Sequence, residues 1–183
     1  MKHFLKIFDG IDVMPLLAAI RMREHLWNQN TLRTTHPGTA HAEADDIWLR
    51  FNELTRDGDN IHVVNDLQCI NYPAFAELPQ ARPLIFGLMA RVEGEQLGRC
   101  LITRLRPGAR IAPHEDLGAP ATFYERFHIL LQCPPGAIFR TGDEVLQMHQ
   151  GECWWFDNSV EHEIVNNGAD DRITMIVDIR VSK

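Results

Sequence analysis

From Gly94 to the C-terminus, short β-like segments follow one another and turn residues end each of them. The segments are Arg99–Arg106, Ala109–Ala112, Phe123–Cys133, Ala137–Arg140, Glu144–Met148, Glu152–Phe156, His162–Asn166 and Ile173–Arg180. The breaks are Pro107-Gly108, Pro134-Pro135-Gly136, Thr141-Gly142-Asp143, Gln150-Gly151 and Asn166-Asn167-Gly168. Gly and Pro set φ angles that strands do not use, so each break ends a strand. Many short strands at this spacing predict an all-β sandwich or barrel. The part before Gly94 reads differently. His3–Phe8 is a short strand, and a helix is expected over Val13–Trp27 with Asp12 as its cap and Pro15 in its first turn. Asn28–Asp46 is a long polar loop, a length that is often functional. Ile47–Phe51 is a strand candidate and Ala81–Glu93 a second helix. With 183 residues and no linker, we expect a single domain, an N-terminal part over 1–95 packed on a β core over 96–183.

The net charge of −7 argues against nucleic acid or an anionic membrane surface as partner, since phosphate affinity rests on Lys and Arg. No apolar run approaches the roughly 20 residues of a membrane span. Lys6 and Asp9 interrupt the apolar start, so no secretory signal is expected. Cys69, Cys100, Cys133 and Cys153 form no C-x-x-C pair and read as reduced thiols of a cytoplasmic protein. Of the 18 basic residues, 15 are Arg. Arginine offers a planar fork that matches a carboxylate with two parallel hydrogen bonds.

The candidate chemistry lies in His114-Glu115-Asp116, with His162 and Arg172 further on. Residues i and i+2 of a strand share a face, so His114 and Asp116 can aim at one point, and His162 opens a later strand. Two histidines and one carboxylate with open positions form the arrangement of non-heme Fe(II) oxygenases. In a chain with nine histidines the H-x-D pair carries little weight alone. His41-Ala42-Glu43 competes, though without strand context.

Four stretches, in order, strengthen the reading: Arg104-Leu105-Arg106-Pro107-Gly108-Ala109-Arg110-Ile111-Ala112-Pro113-His114; Arg126-Phe127-His128-Ile129-Leu130-Leu131; Gly151-Glu152 running on to Phe156-Asp157-Asn158-Ser159-Val160-Glu161-His162-Glu163; and Asp171-Arg172-Ile173-Thr174-Met175-Ile176-Val177-Asp178. Together, from Gly98 to Arg180, they resemble the aspartyl/asparaginyl β-hydroxylase family of Fe(II)- and 2-oxoglutarate-dependent oxygenases.

The resemblance implies a double-stranded β-helix, a cupin-like jelly roll, with N-terminal helices packed on one sheet. It also implies Fe(II), 2-oxoglutarate and O2, and hydroxylation of an unactivated C–H bond in an amino acid, free or within a peptide, with release of succinate and CO2. His114 and His162 then match the iron ligands, with Asp116 as the carboxylate. Arg172 matches the residue at the far carboxylate of 2-oxoglutarate, Thr103 a serine that contacts it, and Arg126 and His128 the R-x-H pair that lines the site. The family's best-known animal members have glycine where this chain has Asp116. Small microbial proline cis-hydroxylases look more like the full triad, and the carboxylate argues against a halogenase. Two rivals stand beside this reading. One is a cupin-type metal enzyme that does not use 2-oxoglutarate, built on His114, His162 and His128. The other is a ligand-binding cupin without turnover.

Other residues have plainer readings. Arg126 pairs with Glu125 or Glu161 if it is structural. Arg99, Arg104, Arg106 and Arg110 read as a solvated strand face. Trp154-Trp155 reads as core, and Asp157-Asn158-Ser159 as the turn that presents His162. Thr34-Thr35-His36, His41 and Ile47–Arg50 are candidates for a substrate wall, with Arg50 gripping a substrate carboxylate.

Overall fold

The computed structural model describes residues 1–54 and 65–182. The elements run β1 (Phe4–Phe8), α1 (Met14–Arg21), a 3-10 turn (Glu24–Leu26), α2 (Leu32–Thr35), β2 (Ala44–Phe51), β3 (Ile70–Asn71), α3 (Pro73–Glu77), α4 (Ala81–Arg91), β4 (Gly94–Leu105), β5 (Arg110–His114), α5 (Ala119–Phe123), β6 (Glu125–Gln132), β7 (Ala137–Thr141), β8 (Glu144–Leu146), β9 (Cys153–Phe156), β10 (His162–Asn166) and β11 (Arg172–Val181). The strands build a seven-stranded sheet, β1-β9-β6-β11-β4-β2-β3, and a four-stranded sheet, β5-β10-β7-β8. Every ladder is antiparallel. This is the double-stranded β-helix expected above. The N-terminal part contributes more than helices, since β1, β2 and β3 sit at the two ends of the large sheet.

Period-2 alternation divides the large sheet into two buried faces. On the outer face Ile47, Leu49, Cys100, Ile102, Phe127, Ile129, Leu131, Ile173, Met175, Val177 and Ile179 pack with Leu16, Leu17 and Ile20 of α1, Phe75 of α3 and Ile85 and Leu88 of α4. On the inner face Leu105, Leu130, Trp154 and Phe156 meet Ile111, Phe139 and Ile164 of the small sheet. Phe139 lies edge-on to both Phe4 and Phe156, with ring centroids 5.4 and 4.7 Å apart, a favoured aromatic geometry. The inner face of β11 is largely polar: Arg172, Thr174 and Asp178 are all buried there.

Some boundaries differ from expectation. The first helix stops at Arg21, and Glu24–Leu26 continues as a 3-10 turn. The N-cap of α1 is Val13 and not the expected Asp12, which stands one residue earlier and accepts from the Met14 N–H at 3.1 Å. The expected long loop contains α2 and the start of β2. Arg104 is not on a solvated face. It is buried, its guanidinium carbon stands 4.3 Å from the centre of the Trp27 ring, and it pairs with Asp45 and Glu24. The helical segment after α1 covers that stretch of the outer face.

Candidate active site

β5 and β10 are hydrogen-bonded neighbours, and His162 stands directly opposite His114. The register shifts between His162 and Ile164, so that Ile164 faces Ile111. That β-bulge at Ala112-Pro113 lets Ile111 and His114, three residues apart, both face inward. Proline is tolerated there because a bulge needs no ladder donor. The imidazole centroids of His114 and His162 are 4.3 Å apart. Nδ1 of His114 lies 2.8 Å from the Ala112 carbonyl oxygen, and Nδ1 of His162 lies 2.9 Å from that of Val160. A carbonyl only accepts, so Nδ1 carries the proton in each ring and Nε2 keeps its lone pair.

Asp116 lies just past β5. Its backbone N–H donates to the Asn158 carbonyl at 3.0 Å. Its Oδ2 accepts from Arg126 Nη1 at 2.6 Å and from Asn158 Nδ2 at 3.2 Å. Its Oδ1 is turned toward His114, 3.7 Å from Nε2. One ligating atom from each of His114, Asp116 and His162 lies within 4.8 Å of the others. Arg126 in turn donates through Nε and Nη2 to the two oxygens of buried Asp178, at 2.8 and 2.9 Å. The expected partners Glu125 and Glu161 are thus replaced by Asp116 and Asp178. Arg126 shares the inner face of the sheet with Asp178, whereas Glu125 accepts from the Trp155 indole and Glu161 from Arg140.

Electrostatics follow from burial and from these pairs. Burial pushes the Asp116 carboxyl up, but Arg126, His162 and His114 outweigh it and hold it below the usual carboxylate range. Burial works against the Arg126 charge, and Asp116 and Asp178 more than reverse that. Burial pushes His162 down to about 4. His128 is held well below its ordinary value by burial and then by Arg172 and Arg126. His162 and His128 are therefore neutral near pH 7, and for His162 that is the state in which an imidazole can ligate a metal.

Two connected spaces adjoin these groups. A small inner cavity is lined by Arg33, His41, Arg126, His128, His114 and His162, with Ile111, Phe139, Phe156, Ile164 and Ile176. An outer cleft of about 400 Å³ shares Arg33, His41, His114 and Arg126 and adds Phe51, Arg99, Leu101, Asp116 and Leu117. That size is ordinary for a small-molecule site.

The Aspartyl/Asparaginyl beta-hydroxylase sequence profile matches residues 17–181. The chain belongs to the aspartyl/asparaginyl β-hydroxylase family. It is 32% identical over 80 residues to L-proline cis-3-hydroxylase 1 of Streptomyces sp, a match that covers 42% of this chain and 28% of that relative's length. In fold it is similar to an oxidoreductase of the 2OG-Fe(II) oxygenase family from Burkholderia pseudomallei, with TM-score 0.64, 14% identity, 98% of this chain and 86% of that one. It is also similar to the viral collagen prolyl hydroxylase from Paramecium Bursaria Chlorella virus-1, with TM-score 0.53, 11% identity, 99% of this chain and 97% of that one.

In this member of the aspartyl/asparaginyl β-hydroxylase family, the remaining candidates fall as follows. Arg172 is buried on the inner face of β11, and its Nη2 has no partner among the described residues. Burial lowers its pKa, and the Cys133 thiol is the group that acts against this. His128 Nδ1 and Thr174 Oγ1 are likewise buried without a partner. Thr103 Oγ1 donates at 2.8 Å to Asp46, which also accepts from Arg33 Nη1 at 2.9 and 2.7 Å. Arg50 does not reach the cleft. A bulge between Trp48 and Arg50 sets Arg50 opposite Cys100, on the outer side, where it donates to Leu97 O and Asn71 Oδ1. The same bulge turns Phe51 to the side of Trp48, and the two rings stack at 4.0 Å. Sequence reasoning missed Arg33, Asp46, Asp178 and the contact of Asn158 with Asp116. Asp178 closes the last of the four quoted stretches, so that motif was its signal. Arg33 and Asp46 had none beyond their place at either end of the long loop.

Proposed function

We propose that the protein is an Fe(II)- and 2-oxoglutarate-dependent hydroxylase of an amino acid, free or within a peptide. One observation carries the reading: two imidazoles with Nδ1 protonated and one carboxylate oxygen converge in a barrel whose interior also holds a buried arginine, Arg172, with its Nη2 unpartnered among the described residues. The residues fit both groups. Neutral imidazole and carboxylate suit Fe(II) on one face of the metal. Deep in the barrel Arg33, Arg126 and Arg172 stand against Asp46, Asp116 and Asp178. A divalent cation adds two positive charges to this balanced set, and dianionic 2-oxoglutarate offsets them, as a poorly hydrated interior requires.

In this reading His114, Asp116 and His162 hold the iron, and Arg172 receives the far carboxylate of 2-oxoglutarate through its unpartnered edge. His128 and Thr103 line the same interior. When bound, iron and 2-oxoglutarate supply, by oxidative decarboxylation with O2, the oxidant that inserts oxygen into a C–H bond. The chain's own work is to hold and orient. Ala112 and Val160 fix the imidazole tautomers. Arg126 and Asn158 occupy Asp116 Oδ2 and leave Oδ1 toward the metal side. Phe139, Phe156, Ile111 and Ile164 exclude water from the inner cavity. The four cysteines are unpaired, which suits a cytoplasmic, reducing compartment. No described helix is long and apolar enough to cross a membrane.

The test is anaerobic addition of Fe(II) and 2-oxoglutarate, followed by admission of O2. A weak visible charge-transfer band and then succinate are expected from the wild type, and neither from His162→Ala. A band and succinate yield that survive in His162→Ala would refute the site. Their absence in the wild type would refute the activity.

A further inference from the structure

The inner cavity and the outer cleft share four residues, Arg33, His41, His114 and Arg126. These residues form the neck between the interior and the mouth. The fold already occupies two of them. His114 belongs to the metal triad, and Arg126 uses Nε, Nη1 and Nη2 on Asp178 and Asp116. The other two hold polar atoms that the fold leaves unused. Both bonds from Arg33 to buried Asp46 leave from Nη1, at 2.9 and 2.7 Å, and its Nε and Nη2 make no hydrogen bond among the described residues. Neither ring nitrogen of His41 has a hydrogen-bond partner among those residues. Both side chains are nevertheless braced. Thr39 Oγ1 donates to the Arg33 carbonyl at 2.7 Å and accepts from the His41 backbone N–H at 3.1 Å. The Ala112 N–H donates to the Ala40 carbonyl at 2.9 Å, which fastens this stretch to the bulge of β5. The His41 ring stands edge-on to the His114 ring, with centroids 4.7 Å apart. Asp46 fixes the Arg33 guanidinium and is itself held by Thr103.

We propose that Arg33 and His41 together bind a carboxylate of the substrate at this neck and so aim its target C–H bond at the metal side. The proposal rests on the hydroxylase reading and adds the substrate class to it. The Nε–Nη2 edge of Arg33 offers two parallel N–H donors, and an imidazole has an N–H to donate in either protonation state. A carboxylate has two acceptor oxygens and matches such a set of donors. A carboxamide brings N–H groups to a place that already donates, and a site built for one hydrogen-bonding group rejects the analogue that lacks it. The carboxylate has two chemical sources, the α-carboxylate of a free amino acid or an aspartate side chain within a peptide. Charge favours the first, because Asp46 already balances Arg33 and a zwitterion adds no net charge to the sheltered neck.

The full-length protein with Fe(II) and 2-oxoglutarate is offered the protein L-amino acids, their α-carboxamides, and N-acetylated, C-amidated tripeptides centred on Asp or Asn. Hydroxylated product and succinate are both measured by mass. We expect acids to be preferred over their amides by at least about tenfold in kcat/KM, the scale of one charged hydrogen-bonded pair. Turnover of free acids alone assigns the α-carboxylate, and turnover of the Asp tripeptide alone assigns the side chain. Arg33→Lys keeps a cation for Asp46 and loses the Nε–Nη2 edge. His41→Phe keeps a ring beside His114 and loses the N–H. Each should raise the KM for the acid by about tenfold, shrink the acid-over-amide preference and release more succinate per hydroxylated product, because a loosely held substrate misses the oxidant. His41→Gln restores a donor and should recover part of the loss. Mn(II) and 2-oxoglutarate dissociation constants, measured by anaerobic calorimetry, should hold in these variants, whereas a purely structural role would move them. If His41→Phe fails to fold, Arg33→Lys and His41→Gln decide. Equal use of acids and amides by the wild type overturns the assignment. So does succinate formation without turnover of any acid offered, an undiminished preference in the variants that fold, or a loss confined to Mn(II) or 2-oxoglutarate binding. Failure of the wild type to decarboxylate 2-oxoglutarate at all overturns the hydroxylase reading, and the roles of Arg33 and His41 with it.

Discussion

Asp178 makes no contact with the triad, yet the position of Asp116 depends on it. It grips the Nε/Nη2 edge of Arg126, and Arg126 Nη1 then holds Asp116 Oδ2. Outer partners of this kind orient metal ligands, and losing one weakens metal affinity by about 10- to 100-fold. Asp178→Asn keeps the shape and loses the charge, so Mn(II) affinity, measured by calorimetry without O2, should fall within that range. Unchanged affinity would show that Asn158 alone suffices. Arg172 calls for a different experiment. Hydrogen bonds to charged groups are worth roughly 1.5–3 kcal/mol, so Arg172→Ala should raise the 2-oxoglutarate dissociation constant by about ten- to a hundredfold. Arg172→Lys should recover part of the loss, and metal binding should hold in both. Equilibrium titration of the Mn(II)-loaded protein decides it, and a constant unmoved in the alanine variant would shift the role to Arg126. Residue identity was legible in the sequence well before residue environment was. The arginines could be counted, but nothing in their spacing distinguishes Arg99, in the cleft, from Arg104, stacked on Trp27 behind the sheet. Both belong to β4, one on each face, and both faces are covered.

Strand positions along the chain were largely readable because Gly and Pro break the chain where strands end. Which way each side chain points was not readable wherever a bulge interrupts the alternation. Two bulges decide the site. The one at Ala112-Pro113 brings Ile111 and His114 to the same face, and the one between Trp48 and Arg50 sends Phe51 inward and Arg50 outward. Arginine chemistry and the long preceding loop made Arg50 look like a substrate residue, and the bulge turns it away from the cleft. Deleting Ala112 removes the extra residue of β5 and forces either Ile111 or His114 out of the interior. The deletion variant should lose Mn(II) binding in the same calorimetric assay while its far-ultraviolet circular dichroism stays β-rich. Wild-type affinity would mean that the bulge is dispensable. The alternation of β11 misleads in another way. Its polar positions Arg172, Thr174 and Asp178 match the pattern of a solvated face, yet they point into the barrel.

At the scale of the molecule, helices seal the outer face of the large sheet and the two sheets seal each other, so His128 is buried and neutral. Its pKa lies well below the ordinary 6.5, by burial first and by the Arg172 and Arg126 charges next. The unfolded chain then binds a proton near pH 6.5 that the folded chain refuses. Stability is complete above that pH and is lost as the pH falls below it toward the folded value. Melting temperatures of the metal-free protein should fall from pH 7 to pH 5, and less steeply in His128→Gln, which takes no proton. Parallel profiles for the two proteins would remove His128 from the account.

The two sheets also divide the labour of the site. His114 and His162 stand on β5 and β10 of the small sheet. Arg126, Arg172, Asp178, Thr103 and Arg99 stand on β6, β11 and β4 of the large one. Exchanges on the inner face of β2 and β4 can therefore change what enters the cleft while β5 and β10 keep their register. A descendant of this chain selected for a new substrate would vary on one wall of the barrel and inherit the other intact.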